Sequence, residues 1–102
     1  MTDVQLTNEL AQRVLGWKPS ADRFIKSDRG WVPKWRFQPL SQVASAFELL
    51  DEAAERYRIT CERGTFSVEV HSNCRRGEAS GDVLGRTISI AVAGAIGLEL
   101  AK

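Results

Sequence analysis

The stretch that decides the fold is Tyr57-Arg58-Ile59-Thr60-Cys61-Glu62, then Arg63-Gly64, then Thr65-Phe66-Ser67-Val68-Glu69-Val70-His71. Apolar and polar residues alternate on both sides of Arg63-Gly64, as in strands that bury one face and solvate the other. The central dipeptide has the length and composition of a two-residue hairpin turn. The sequence therefore predicts a β-hairpin over Tyr57–His71.

The predicted turn also sets the register of the hairpin. It pairs Glu62 with Thr65, Cys61 with Phe66, Thr60 with Ser67, Ile59 with Val68, Arg58 with Glu69, and Tyr57 with Val70. Every pair is apolar with apolar or polar with polar, and a slip of one residue would destroy that match. We therefore expect one core face, which buries Cys61, and one wet face, which carries His71.

Three helices are expected around the hairpin. Leu6, Leu10 and Val14 recur at helical spacing and predict a helix at about 5–15 that ends at Gly16. A second amphipathic pattern, with one apolar and one acidic side, predicts a helix at about 40–56.

The last apolar segment is ambiguous. Ile88, Ile90 and Val92 alternate as in a strand, but the length of the segment favours a helix at about 86–100. One side of that helix would carry Ala91, Gly94, Ala95 and Gly97, whose small size would let another element approach closely. Residues 72–86, rich in Gly and polar residues, are predicted to form a loop.

Residues 17–39 differ in character from the rest of the chain. They hold all three prolines and five of the aromatic residues. We expect short strands at about 23–26 and 30–36, joined by a turn at Ser27–Gly30. The predicted class is therefore α+β, with these strands and the hairpin in a small antiparallel sheet.

Size and charge limit the possible functions. The chain of 102 residues fits a single domain, 1–102, and its formal net charge of +1 gives no general attraction to nucleic acid or membrane. The first residues lack the pattern of a signal peptide, and the longest apolar run, Ile88–Leu98, is too short to span a bilayer. Two cysteines do not make a disulfide framework. We expect a cytoplasmic protein with free thiols.

Cys61, His71 and Cys74 invite a zinc interpretation. Structural zinc sites use four ligands, whereas only three Cys or His residues are available, and the predicted register separates Cys61 from His71. Cys74 could still approach His71, and Arg75 and Arg76 would favour its thiolate if it were exposed. A solvated loop cysteine is the stronger interpretation, so we expect no metal, no cofactor and no catalytic residues.

The segment 17–37 has the most binding character. Its tryptophans and phenylalanines alternate with six basic residues against two aspartates. Such a mixture suits a protein interface, which favours Trp and Arg, or single-stranded nucleic acid, which needs stacking and charge. The alternative is structural, with rings that cover a sheet edge under snorkelling cations. The predicted interaction residues are Trp31, Lys34, Trp35, Arg36, Arg75 and Arg76.

The order of these parts resembles the phage ABA sandwich domain, a family of small uncharacterised phage and prophage proteins. The resemblance is carried by Leu6–Trp17 (LTNELAQRVLGW), Phe37–Phe47 (FQPLSQVASAF), the hairpin and the apolar tail. It implies an α/β/α sandwich, with helices on both faces of the sheet, and favours a helix at the end of the chain. Gly94 and Gly97 depart from the Ala/Leu-rich ending of the family. The family supplies no catalytic residues.

These observations favour a non-enzymatic phage or prophage accessory protein that acts through protein contacts in the bacterial host. Interference with a host defence system, such as CRISPR, is one specific form of that function. The alternative is binding of nucleic acid or a nucleotide-like ligand through 17–37, and a thiol or metal enzyme ranks third. The partner is not specified by the sequence, and a homodimer could form through an exposed sheet edge or the small-residue side of the last helix.

Overall fold

A computed structural model of the chain describes residues 2–26, 28–72 and 75–98. The elements in these ranges are, in chain order, α1 (Asp3–Leu10), β1 (Lys18–Pro19), β2 (Arg23–Ile25), β3 (Trp31–Pro33), α2 (Val43–Ala53), β4 (Arg56–Glu62), β5 (Thr65–Ser72), β6 (Arg75–Gly81) and α3 (Leu84–Ala95). The strands form two antiparallel sheets, a small sheet of order β1-β2-β3 and a large sheet of order β4-β5-β6. The α+β class is confirmed.

The first predicted helix consists of α1 and one further π-helical turn, Ala11–Leu15. A capping box starts it, in which Thr2 Oγ1 accepts from the Gln5 amide at 3.1 Å and Gln5 Oε1 accepts from the Thr2 amide at 2.9 Å. Gly16 ends it with φ of 72°, a left-handed conformation that glycine adopts without a steric penalty. The stop at Gly16 was therefore predicted correctly.

The hairpin has the predicted register, pair for pair, from Tyr57 opposite Val70 to Glu62 opposite Thr65. Arg63 and Gly64 have φ of 52° and 79°, as a primed two-residue turn requires. Val68 and Val70 are buried, and the wet face points to solvent as expected.

The predicted burial of Cys61 is wrong, because its side chain is exposed. It lies on the apolar face of the hairpin, but α3 packs mainly over β6 and β5. The outer strand β4 therefore extends beyond the helix. Its apolar residues Tyr57 and Ile59 are exposed and half-buried, respectively.

The predicted loop at 72–86 is also wrong, because Arg75–Gly81 forms the third strand of the large sheet. Its inward positions are Gly77 and Ala79, whose small size hides the alternation that usually marks a strand. A Cβ atom on Gly77 would overlap the backbone carbonyl of Ala91 in α3. The close approach of α3 is what makes small residues necessary here.

The final apolar segment is a helix, as predicted, over Leu84–Ala95 rather than 86–100, of which 99 and 100 lie outside the described residues. Its small-residue side faces β6, since a Cβ atom on Gly94 would lie 3.3 Å from the Gly77 Cα. Its buried residues Ile88 and Val92 join Leu49 and Leu50 of α2 in the core. None of the helices in the described ranges has the length and apolar character that a membrane crossing requires.

The arrangement of layers differs from the predicted single sheet in a sandwich. The short strands at 23–26 and 30–36 are β2 and β3 of a separate sheet, and the second ends at Pro33, before a 3₁₀ turn at Lys34–Arg36. The second helix is shorter than 40–56, since Pro39–Ser41 is a turn. Among the described residues, α3 covers one face of the large sheet, and the opposite face, which carries ion pairs of Arg76 with Glu69 and Glu78, meets solvent.

Candidate interaction surface

The small sheet is anchored by three aromatic rings that pack against one another. Ring centroids lie 5.1 Å apart for Trp17 and Phe37, 5.5 Å for Phe24 and Phe37, and 6.0 Å for Trp17 and Phe24. These are distances at which tilted and edge-to-face pairs are attractive. Phe24 and Phe37 are completely buried in the main core. The sheet is therefore a fixed part of the molecule despite its short strands.

The outer face of the small sheet combines exposed apolar groups with a cation. The β2–β3 register places Trp31 opposite Ile25 and Phe24 opposite Val32. Because side chains alternate between faces, burial of Phe24 turns Arg23, Ile25 and Trp31 outward. Trp31 is 56% exposed, and the Arg23 guanidinium lies 4.5 Å from its ring centroid, a cation–π contact.

A second tryptophan is presented by the 3₁₀ turn that follows β3. Trp35 is 67% exposed, and the Arg36 guanidinium lies 5.9 Å from its ring centroid. The Lys26 ammonium lies 5.4 Å from the ring centroid of Trp17. We name Arg23, Lys26, Trp31, Trp35 and Arg36 the aromatic–basic surface, in which Arg23 contacts the Trp31 ring and Arg36 the Trp35 ring. A cleft of about 350 Å³ on this surface is lined by Trp17, Lys26, Trp31, Val32, Arg36, Phe37 and Glu48.

The charge of this surface is only partly neutralised. Arg23 donates to both carboxylate oxygens of Asp22 at 3.1 Å, and this contact lowers the pKa of Asp22. Over the part of the chain that the structure describes, Lys26 and Arg36 have no carboxylate within ion-pair distance. The three cations of the surface stand against Asp22 and Glu48, which lines the cleft, so the surface keeps a positive charge, and its two indoles are exposed.

The six predicted interaction residues fall into two places. Trp31, Trp35 and Arg36 belong to the aromatic–basic surface. Lys34 turns inward, where its ammonium donates to Asn8 Oδ1 at 3.3 Å and lies 5.3 Å from the Phe24 ring centroid.

Arg75 and Arg76 lie on β6 of the large sheet. They line a different cleft, together with Glu55, Arg56, His71 and Ser72. The structure thus separates them from the tryptophans with which they were grouped. Cys74, the neighbouring candidate thiol, lies outside the described residues.

A charged network covers the open face of the large sheet around Arg76. Glu69 Oε1 lies 2.7 Å from His71 Nε2, and Arg76 donates to Glu69 at 2.9 Å and to Glu78 at 2.8 Å. The hydrogen bonds from His71 and then Arg76 lower the pKa of Glu69, and the contact with Glu69 raises the pKa of Arg76. These side chains satisfy one another, so they present less free charge than the aromatic–basic surface.

The hairpin geometry separates Cys61 and His71, two of the three residues that suggested the zinc interpretation. Cys61 pairs with Phe66 and His71 with Arg56, at opposite ends of the hairpin. The five residue-to-residue steps of strand from Phe66 to His71 span about 17 Å. That distance excludes a shared metal or a direct thiol–imidazole contact. In 2–26, 28–72 and 75–98 there is no group of three or more Cys, His, Asp or Glu residues that could hold a metal ion.

Two members of the aromatic–basic surface, Arg23 and Lys26, were absent from the predicted interaction residues. The β2–β3 register identifies Arg23 as a member of this surface. Arg23 lies diagonally across from Trp31, a separation that long side chains can bridge. Lys26 follows β2 directly and reaches the Trp17 ring. Neither relation can be read from residue spacing along the chain.

The fold resembles that of a phage protein from Bacillus cereus ATCC 14579, known from a crystal structure at 2.0 Å. The two structures superpose with a TM-score of 0.76 at 15% sequence identity, over 99% of this chain and 93% of the other. No protein-family model and no curated protein sequence matches the chain, so the resemblance to the phage ABA sandwich domain stays a resemblance. The similarity at this identity concerns the fold.

Proposed function

We propose that this chain is a non-enzymatic phage protein that works by binding another protein through the aromatic–basic surface. The observation that carries the proposal is the exposure of Trp31 and Trp35, 56% and 67%, each beside an arginine. Trp and Arg are the residues most enriched among those that dominate binding energy at interfaces. Large exposed apolar patches rimmed by polar side chains mark interaction sites, and the exposed Ile25 lies opposite Trp31 on the same face.

The rigidity of the surface supports the same conclusion. Trp31 lies on β3, which pairs with β2. On β2, the side chain of Phe24 is fully buried against Trp17 and Phe37. Arg23 is held by Asp22 on one side and by the Trp31 ring on the other. Side chains that are ordered before binding lose less entropy on binding. The partner that fits this surface is a protein with an acidic patch around an apolar pocket.

The phage assignment is supported by the shared fold with the Bacillus cereus phage protein. A small phage protein with a prebuilt contact surface would act in the host cell on a host or phage protein. Inhibition of a host defence protein, including a CRISPR component, is one specific form of this proposed function. The positive charge of the aromatic–basic surface favours an acidic region of such a partner.

Nucleic acid is the second candidate partner, favoured by the cation–π pairs. Bases stack on exposed rings while arginines neutralise phosphates, and Trp35 is 67% exposed. Arg23, however, already lies over the Trp31 ring and pairs with Asp22. The overall charge of +1 also gives weak attraction to a polyanion. Protein therefore ranks ahead of nucleic acid.

A comparison of bait proteins tests the protein contact. Trp31→Ala/Trp35→Ala removes the indoles, and Val43→Ala/Val83→Ala is the matched control, since it trims two exposed apolar side chains elsewhere. Each bait is incubated with lysate of a bacterial host, and the captured proteins are quantified by mass spectrometry. We expect a defined acidic partner that wild type and control retain and the tryptophan variant loses. If every captured protein binds all three baits equally, the assignment of this surface is wrong.

Tryptophan fluorescence tests the nucleic-acid alternative. Single-stranded oligonucleotides and cyclic nucleotides are titrated into the wild-type chain at several salt concentrations. Binding through this surface would change the emission, weaken steeply with salt and disappear in Arg23→Gln/Arg36→Gln. We expect no change. A salt-dependent change that the double glutamine variant abolishes would replace the protein partner with a nucleic acid.

A further inference from the structure

The outer edge of β4 has no paired strand in the described part of the molecule, and its residues include apolar groups. The strand runs for seven residues and pairs only with β5. It contains no proline, and proteins that protect an edge commonly use proline, bulges or very short strands. Tyr57 is 46% exposed and Cys61 is exposed, although both lie on the apolar face. This edge is equipped to pair with another strand.

Hydrogen-bonding groups along this edge point away from the sheet. The two-residue turn makes Glu62 and Thr65 a hydrogen-bonded pair, and such pairs alternate along an antiparallel ladder. Thr60, Arg58 and Arg56 therefore bond to β5. The amides and carbonyls of Tyr57, Ile59 and Cys61 face outward, and an incoming strand would satisfy them.

We infer that the occupant of this edge is β4 of a second copy of the chain, paired antiparallel about a two-fold axis at Ile59. Ile59 is the midpoint of Arg56–Glu62, so this register overlaps the full strand. Ile59 then faces Ile59 of the second copy, and Tyr57 faces Cys61. All three are outward-bonding positions on the apolar side. The two large sheets become one continuous six-stranded sheet.

Charge on the other face is complementary in the same register. Arg56 of each copy faces Glu62 of the other, which gives two ion pairs by symmetry, while Arg58 faces the neutral Thr60. A shift of the axis to Arg58 would place two arginines against each other at the centre. Like charges directly opposite each other are destabilising.

The opposite edge of the large sheet does not offer this complementarity. A two-fold axis at the midpoint of β6 would set Glu78 against Glu78 of the second copy. Glu78 already accepts from Arg76 at 2.8 Å, so pairing there would crowd two carboxylates around a satisfied network. Self-association is therefore specific to β4, and it leaves the small sheet with its aromatic–basic surface free.

The decisive experiment is a charge swap, read by light scattering after gel filtration over a concentration series. Wild type is expected at twice the chain mass of 11.3 kDa. Glu62→Arg creates two Arg–Arg pairs and should weaken the dimer about tenfold or more. Arg56→Glu/Glu62→Arg restores both ion pairs with reversed sign and should restore the dimer. Circular dichroism of each variant checks its folding.

Three results would overturn the inference. One is a wild-type chain that stays monomeric up to about 1 mM, the affinity of very weak contacts. Another is a dimer that Glu62→Arg leaves unchanged. The third is a folded double variant whose dimer is no stronger than that of Glu62→Arg.

A disulfide trap decides the case if Glu62→Arg fails to fold. In the inferred dimer, position 57 faces Cys61 of the second copy, with Cα atoms about 5.5 Å apart, a separation that a disulfide can span. Tyr57→Cys in a Cys74→Ser background should give a covalent dimer when an oxidant takes the electrons of the two thiols. Addition of Cys61→Ser should abolish it. A covalent dimer that survives Cys61→Ser, or none at all, contradicts the β4 pairing.

Discussion

The two sheets of this protein are stabilised by different interactions. The large sheet has long strands in a regular register, and its inner face is covered by one helix through Gly77 and small residues of α3. The small sheet has strands of two or three residues and depends on the rings of Trp17, Phe24 and Phe37. The large sheet is thus held by backbone pairing and the small sheet by side-chain packing. The difference explains why the small sheet can present irregular, exposed side chains on a fixed base.

The first prediction tests whether the aromatic cluster stabilises the small sheet, by removal of the Phe24 ring. Phe24→Ala should lower the free energy of unfolding by about 3–5 kcal/mol, the range for loss of a buried phenylalanine, because the ring is completely buried. Urea denaturation followed by tryptophan emission measures it. Trp35→Ala, at a 67% exposed position, is the control and should change stability by about 0.5 kcal/mol or less. Equal effects at both positions would show that the aromatic cluster does not hold the small sheet.

The second test addresses the contact between the large sheet and α3. Gly77→Ala places a methyl group against the Ala91 carbonyl and should destabilise by about 1–3 kcal/mol, as overpacking typically does, with a shift of α3 away from β6. Ser80→Ala on the same strand is the control, since Ser80 points to solvent. The same urea titration measures both. A neutral Gly77→Ala would mean that the helix adapts, and that close approach is not what requires glycine there.

How much of this fold could be predicted follows from the same contrast. The hairpin was predictable in detail because alternation and the Arg63-Gly64 turn are local signals. β6 escaped prediction because Gly77 and Ala79 occupy its inward positions, so its pattern has meaning only with α3 in place. The exposure of Cys61 depends likewise on how far α3 reaches across the sheet. Both features depend on contacts between elements that are far apart in the sequence, so a local sequence pattern cannot reveal them.

The candidate site shows the same limit. Composition was enough to select Trp31, Trp35 and Arg36, since aromatic and basic residues concentrate in 17–37. It could not show that Lys34 turns inward to Asn8, or that Arg23 stacks on Trp31 across two strands. Composition also could not show that Arg76 lies apart from the tryptophans, on the large sheet, where it pairs with Glu69 and Glu78. Composition identified the segment, whereas the short strands and the 3₁₀ turn together determine which of its cations face solvent.

The smallest expected effect concerns the charged face of the large sheet, and it tests whether that face contributes to stability at all. His71 and Arg76 hold the pKa of Glu69 below its ordinary value of 4.5. A carboxyl whose pKa is lower in the folded state stabilises the fold above the unfolded value and loses that contribution as pH falls through the folded value. Glu69→Gln should therefore be less stable than wild type above pH 4.5, and the gap should close at lower pH. Urea midpoints from neutral pH downward measure it, with the exposed Glu52→Gln as control. A gap that does not depend on pH would mean that Glu69 acts through packing, and the two sheets would then differ less than their contacts suggest.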